Sequence, residues 1–193
     1  MTDAHSLEQI RGRASYYPGM VPAVPARYRR LMDGQSVAIG GRGWRCISGY
    51  GHAPEHISLH CPALGLLISG DMLLPRISTN VSVIDLEPEG NPLPLYLASI
   101  DRLRVLPADT LVLPSHGRPF RNLHVRIDQL VAHHEDRFAD VLAACAQVPQ
   151  TAASLLPVLF RRALDLHQTT FAMGEAIAHL NALWMDGRLR RDP

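Results

Sequence analysis

The chain has 193 residues, of which 47% are hydrophobic and 19% charged, with a formal net charge of +1. This composition is typical of a soluble globular protein, and the balanced charge provides no overall field to attract nucleic acid or an anionic membrane. Three cysteines with no Cys-x-x-Cys pair argue against a disulfide framework or a thiolate zinc site. The N-terminal residues contain no apolar signal segment, and no apolar run approaches the about 20 residues of a membrane span. We therefore expect a cytoplasmic protein without a membrane role.

The first two thirds of the sequence predict two short helical segments followed by strands. Residues 6–16 predict a short helix, and ARYRRLM (26–32) predicts one or two helical turns ended by Asp33 and Gly34. The apolar runs that follow predict strands at SVAIG (36–40), WRCIS (44–48), HISLHC (56–61), LGLLISG (64–70) and DTLVLPSHG (109–117). Between the last two runs, residues 92–105 show the apolar spacing of an amphipathic helix.

Four strands, a helix and a further strand indicate an α/β arrangement. The composition changes near residue 119, and the following segments predict only helices. These are a long helix at 121–148, a helix capped by Thr151, and a helix at 169–187 ended by Gly187. We therefore expect an α/β domain at residues 1–119 and a helical domain at residues 120–193.

Three candidate metal ligands each follow a predicted strand. His52 comes just after WRCIS, Asp71 ends LGLLISG, and His116 follows TLVLP. Side chains at the ends of neighbouring strands meet at one edge of a sheet, where α/β proteins commonly build their sites. Two imidazoles and a carboxylate suit a borderline divalent ion such as zinc. Each has a glycine beside it that permits a tight turn: Gly51, Gly70 and Gly117.

Other polar residues have weaker functional interpretations. Arg76 and Asn80 follow the Asp71 strand, so they could bind an anionic group of a substrate, although an ordinary polar loop explains them equally well. His60 is expected to line the core, and the pair His133 and His134 to lie on a solvated helix face.

The helical tail raises the alternative of nucleic-acid binding. Two helices followed by GRLRRDP (187–193) could form a winged helix with a basic wing. However, the segment FAMGEAIAHLNALWM (171–185) contains no basic residue other than His179, which makes a poor surface for phosphates. We instead expect a structural lid or a dimerisation element, in which Phe171, Leu180, Leu183 and Trp184 pack against the long helix.

The segments GHAPEH (51–56), LLISGDMLL (66–74) and LVLPSHGRPF (111–120) together resemble the metallo-β-lactamase superfamily, in the branch that includes hydroxyacylglutathione hydrolases. The resemblance implies a hydrolase in which a hydroxide activated by two metal ions, usually zinc with manganese or iron as alternatives, attacks an ester, thioester or related bond of a small molecule. His52 would bind the first metal and His116 the second, with Asp71 bridging both, so that His52 and Asp71 are the catalytic residues. His56 would lie behind the site and hydrogen-bond within its loop.

One departure from the family changes this expectation. The signature His-x-His-x-Asp-His, which supplies four of the usual seven metal ligands, is absent, since no two histidines are two positions apart. The sequence therefore resembles the C-terminal half of an αββα metallo-β-lactamase sandwich, followed by a helical, winged-helix-like appendage. We expect little or no hydrolysis by this chain alone, weak metal binding, and self-association through an exposed sheet face.

Overall fold

The computed structural model describes Glu8 and residues 21–192. The chain divides into a unit of residues 1–30 and a unit of residues 31–193. The predicted helix at 6–16 lies outside the described residues, except for Glu8. The helical turn predicted at 26–32 is wrong, because these residues have no regular secondary structure. A seven-residue segment is too short to hold a helix by itself, and here its three arginines would repel one another.

A five-stranded sheet forms the first part of the second unit. Its strands stand in chain order: β1 (Ser36–Ile39), β2 (Arg42–Gly49), β3 (His56–Cys61), β4 (Leu66–Gly70) and β5 (Leu111–Pro114). Strands β1 to β4 pair antiparallel, and β5 pairs parallel with β4. Strands β2, β4 and β5 therefore run in one direction and end at the same edge of the sheet, where β3 begins. The predicted strands are all present.

Four helices complete the unit: α1 (Pro92–Asp101), α2 (Leu123–Gln147), α3 (Ala152–Leu159) and α4 (Leu166–Met185). Helix α1 continues as a short 3-10 turn at Arg102–Val105. Thr151 caps α3 through a capping box, as its sequence predicts, and Asp165 caps α4 in the same way. Residues 186–192 contain no strand, so the described tail shows the helices of the expected appendage without the strands of a wing.

The helices cover one face of the sheet. Alternate strand residues such as Ile47, Leu67 and Val112 point to this face and share a core with residues of all four helices. This packing explains why the tail folds against the α/β part within a single compact unit. The boundary between residues 119 and 120 remains a prediction. Within residues 21–192, no helix is long and apolar enough to cross a membrane.

Candidate metal centre

The ends of β2, β4 and β5 bring the three predicted ligands together. His52 Nε2 lies 3.6 Å from one carboxylate oxygen of Asp71, and His116 Nε2 lies 3.6 Å from the other. His52 and Asp71 are less than a third exposed, whereas the side chain of His116 is 73% exposed. The Asp71 carboxylate, which follows β4, thus lies between the imidazole that follows β2 and the imidazole that follows β5.

The spacing of these atoms fits two ligands of a shared ion better than a hydrogen bond. A nitrogen–oxygen hydrogen bond spans about 2.7–3.2 Å. Two ligands that each lie about 2.0–2.1 Å from a tetrahedral ion are about 3.4 Å apart. In addition, Asp71 Oδ1 is buried and accepts no hydrogen bond from a described residue. A buried carboxylate oxygen without a donor is costly unless a cation balances it. The site thus presents an uncompensated carboxylate oxygen and two imidazole nitrogens, which are the kinds of atom that a divalent metal ion takes as ligands.

A backbone carbonyl fixes the orientation of the His52 ring. His52 Nδ1 lies 2.8 Å from the Asn80 carbonyl oxygen and 3.3 Å from Thr79 Oγ1. Since a carbonyl only accepts, Nδ1 carries the hydrogen and donates it, which leaves a lone pair on Nε2 for a metal. This arrangement is typical of metal-bound histidines, whose second ring nitrogen is held by a neighbouring acceptor.

His56 lies behind the site, but its hydrogen bond differs from the expectation. Its Nε2 accepts from the Asp71 backbone N–H at 3.3 Å, across the sheet edge and not within its own loop. Burial, together with the nearby His52, lowers the pKa of His56, so the ring is neutral and able to accept this bond. His56 therefore positions the backbone of Asp71.

The loop after Asp71 is held in place by hydrogen-bond donors from two helices. Tyr96 donates its hydroxyl to the Met72 carbonyl at 3.2 Å. The Arg126 guanidinium donates to the carbonyls of Leu74 and Ile77 at 2.7 and 2.9 Å. These bonds fix a segment that has no regular secondary structure of its own, and they set the position of Thr79 and Asn80 beside His52.

The three residues open into a cleft of about 360 Å³. Asn80 lines it as predicted, although its backbone holds His52 while its side chain accepts from Ser82 Oγ at 2.6 Å. Arg76 does not line the cleft, because the loop turns it outward; the cation at the cleft is Arg162, which donates to Gln168 Oε1 at 2.8 Å. A substrate role for Arg76 remains a prediction, although its side chain is not part of this lining. The role of Asn80 remains a prediction.

The far wall of the cleft comes from the helical tail, which sequence reasoning assigned no site residue. Its members are Phe160, Arg162, Leu164, Gln168, Phe171, Ala172 and Glu175. Phe171 was expected to pack on the long helix, but it is 46% exposed and faces the cleft. Burial raises the pKa of Glu175 to about 7. In the sequence, Glu175 could have been singled out only as an isolated acidic residue in an apolar helical segment.

Among the described residues, those of this site included, no group of three or more His, Cys, Asp or Glu side chains is arranged closely enough to hold a single metal ion. The three predicted ligands themselves form two pairs that share Asp71, and not one cluster around a single point. The three cysteines are free thiols, and Cys46 and Cys61 are buried.

Two family models match the chain. The model described as the metallo-beta-lactamase superfamily matches residues 5–116, and the model described as the metallo-beta-lactamase-like C-terminal domain matches residues 138–193. A probable metallo-hydrolase of Bacillus subtilis (strain 168) is 30% identical over 75% of this chain and 46% of its own length. A hydroxyacylglutathione hydrolase of Fuscovulum blasticum is 31% identical over 48% of this chain and 34% of its own length.

Solved structures show the same likeness. A beta-lactamase domain protein from Burkholderia ambifaria matches with a TM-score of 0.94 and 59% identity, over 100% of this chain and 55% of that one. A metallo-beta-lactamase family protein from Thermus thermophilus matches with a TM-score of 0.77 and 33% identity, over 88% of this chain and 53% of that one. The chain thus spans about half the length of these solved relatives and less than half of the curated ones.

Proposed function

Because the chain belongs to the metallo-beta-lactamase superfamily, we propose that its cleft is part of a metal-dependent hydrolase site for an ester, thioester or related bond of a small molecule. The observation that carries this proposal is the Asp71 carboxylate, which has one oxygen 3.6 Å from His52 Nε2 and the other 3.6 Å from His116 Nε2. Metal-ligating atoms of this kind at this spacing suit zinc, and manganese or iron can take the same ligands.

Metal ions bound by these residues would supply activation of water and polarisation of the substrate's carbonyl oxygen. The chain's own residues have separate tasks. His52 and Asp71 are the catalytic residues at the base of the cleft, His56 holds the Asp71 backbone, and the apolar tail residues exclude water from the substrate. Fixing Asp71 from behind matters because a carboxylate that bridges two ions must present both oxygens at once.

The described residues offer each ion only one imidazole and a shared carboxylate. Catalytic zinc sites have three protein ligands. We therefore propose that metal affinity is low and that hydrolysis by this chain is slow, well below the about 10 s⁻¹ of a typical enzyme. The absence of the His-x-His-x-Asp-His signature from this sequence supports the same proposal.

Nucleic-acid binding by the tail is the weaker alternative. Arginines of the segment after α4 are already engaged within the chain: Arg191 pairs with Glu89 at 3.6 Å and stacks over Trp184, and Arg188 stacks over Phe138. Arginines held by these contacts are less available to phosphates. A cytoplasmic location is part of the proposal, since three free thiols suit a reducing compartment.

Metal analysis of the chain equilibrated with zinc or manganese tests the proposal. We expect bound metal that His116→Ala removes in large part and that Asp71→Asn abolishes. His124→Ala is the matched control, because His124 bonds to the Leu106 carbonyl away from the cleft. The same samples are then assayed on a thioester and on a phosphodiester. Metal bound equally by all four proteins, or turnover comparable to that of an ordinary enzyme, would refute the proposal.

A further inference from the structure

Glu175 is the one acidic side chain that the helical tail places in the metal-centre cleft. It lies on α4 and shares the cleft lining with His52, Asp71 and His116. Its backbone carbonyl accepts a hydrogen bond from His179 Nδ1 at 2.8 Å, which adds a side-chain bond to those of the helix backbone. The position of Glu175 is therefore set by a well-packed element and not by a loop.

The Glu175 carboxyl accepts no hydrogen bond from a described residue. It also lines a second, smaller cavity of about 120 Å³ behind the cleft, together with Ser78, His133 and Arg137. The Glu175 side chain therefore lines two cavities: the cleft, where the substrate would bind, and the smaller cavity, whose lining includes polar groups. A largely buried carboxyl that accepts no hydrogen bond from the described residues is available to interact with whatever occupies the cleft.

The charges around Glu175 leave its carboxyl close to its protonation midpoint at neutral pH. From α2, Arg137 favours the ionised form, and burial opposes it more strongly, so that its pKa is about 7. His133 from α2 and His179 from α4 have lowered pKa values and are neutral there. The other charged groups of the cleft are the Asp71 pairs and Arg162. A group that titrates near the working pH is suited to give and take a proton.

We propose that Glu175 donates the proton that the leaving group requires when the ester or thioester is cleaved. This inference rests on the proposed function, to which it adds a residue of the tail. The water oxygen bonds to the acyl carbon, and the bond between that carbon and the leaving oxygen or sulfur breaks. The leaving atom takes the proton of the Glu175 carboxyl. Of the two protons of the attacking water, one goes to the Glu175 carboxylate, so the residue ends each cycle in its starting state, and the other stays on the new carboxylic acid or passes to solvent.

The dependence on leaving group tests this role. A poor leaving group, such as the alcohol of an ethyl ester, needs a proton donor, whereas p-nitrophenolate departs without one. We expect Glu175→Gln to lower kcat/KM by about 100-fold on the ethyl ester and by less than about threefold on the nitrophenyl ester. Glu175→Asp should restore part of the loss, because it keeps the carboxyl. A merely structural role would lower both rates by the same factor.

Two controls separate the possible failures. Glu135→Gln, on an exposed position of α2, removes the same charge and should leave both rates unchanged. In the carboxyl region of a ¹³C NMR titration, one glutamate signal should titrate near pH 7 and be missing from Glu175→Gln. Equal losses on both esters, or a Glu175 signal that titrates like the exposed glutamates, would overturn this role alone. Metal bound equally by the wild-type chain and by Asp71→Asn would overturn the proposed function and this inference with it.

Discussion

Gly70 shows how a residue without a side chain determines the position of a ligand. It adopts φ +53°, which L side chains rarely adopt, and a Cβ there would overlap the imidazole of His56. That imidazole accepts the Asp71 backbone N–H. A side chain at position 70 would therefore displace the ring that holds Asp71 between His52 and His116.

Replacing Gly70 with alanine should destabilise the chain and disturb the site. The change costs about 1–2 kcal/mol for the left-handed backbone and more for the displaced His56 ring. Gly65→Ala is the matched control, because Gly65 has a similar φ of +61° but open space around a Cβ. In urea unfolding, Gly70→Ala should lose more free energy of unfolding than Gly65→Ala, and only Gly70→Ala should weaken metal binding. Equal losses in both variants would show that the contact with His56 is unimportant.

The three central residues of the site could be predicted from the sequence because their position depends only on strand order. Each follows an apolar run, and strands of one direction end at one edge. Arg76 is exposed and outside the cleft lining, because adjacency to Asp71 does not determine where an irregular loop turns. Glu175 was missed since its place in the cleft depends on how α4 packs, more than 100 residues after Asp71 along the chain.

At the scale of elements, a buried histidine pair joins the long helix α2 to α4. His134 Nδ1 lies 3.3 Å from His179 Nε2, and both side chains are almost fully buried. His179 donates its Nδ1 hydrogen to the Glu175 carbonyl, so its Nε2 accepts from His134. The expectation of a solvated face for His134 is wrong, because α4 and Tyr96 of α1 cover that side of the helix.

This pair should make the stability of the chain depend on pH. Burial, reinforced by the neighbouring histidines and Arg137, lowers the pKa of His134 to about 3, and burial lowers that of His179 to about 4, from an ordinary value of 6.5. The unfolded chain then binds protons below pH 6.5 that the folded chain does not. The free energy of unfolding should therefore be highest above pH 6.5 and fall as the pH drops toward 4, by up to about 1.4 kcal/mol per pH unit for each histidine.

Urea unfolding at about pH 7.5 and about pH 5 measures this dependence. His134→Gln keeps a donor for His179 but does not titrate, so its free energy of unfolding should change less between the two conditions. A wild-type stability that is flat or rises toward low pH would contradict the burial of the pair.

Secondary structure was predictable where a pattern and its boundary signals agreed. The strands and α1 were recognised by their apolar periodicity, and α3 by its cap at Thr151. For α4 the predicted start at residue 169 lay three residues inside the observed helix, because the cap at Asp165 was not recognised. The false helical turn at 26–32 had helix-favouring residues but no cap and no apolar face to bury.

At the scale of the whole molecule, the two faces of the sheet differ. The helices cover the face of Leu67 and Val112, whereas several apolar side chains on the opposite face remain partly or well exposed. These are Ile57, Leu59, Leu66, Ile68, Leu111 and Leu113. Partly exposed apolar side chains on one face of a sheet favour contact with another chain.

We therefore expect the chain to self-associate through this face. Sedimentation velocity should show a mass that increases with concentration. Ile68→Arg should return the chain to a monomer, since Ile68 is 37% exposed at the centre of the surface. Leu86→Arg, at an exposed loop position away from the sheet, is the control and should not change the mass. A monomer at every concentration would rule out this surface as an interface.

The most direct test of the account is the anomalous diffraction of a crystal of this chain soaked in zinc. Asp71 should have a zinc peak on each side, one next to His52 Nε2 and the other next to His116 Nε2, and both should vanish in Asp71→Asn. Zinc found only at other histidines, or around an Asp71 that has turned away from both imidazoles, would contradict the central claim.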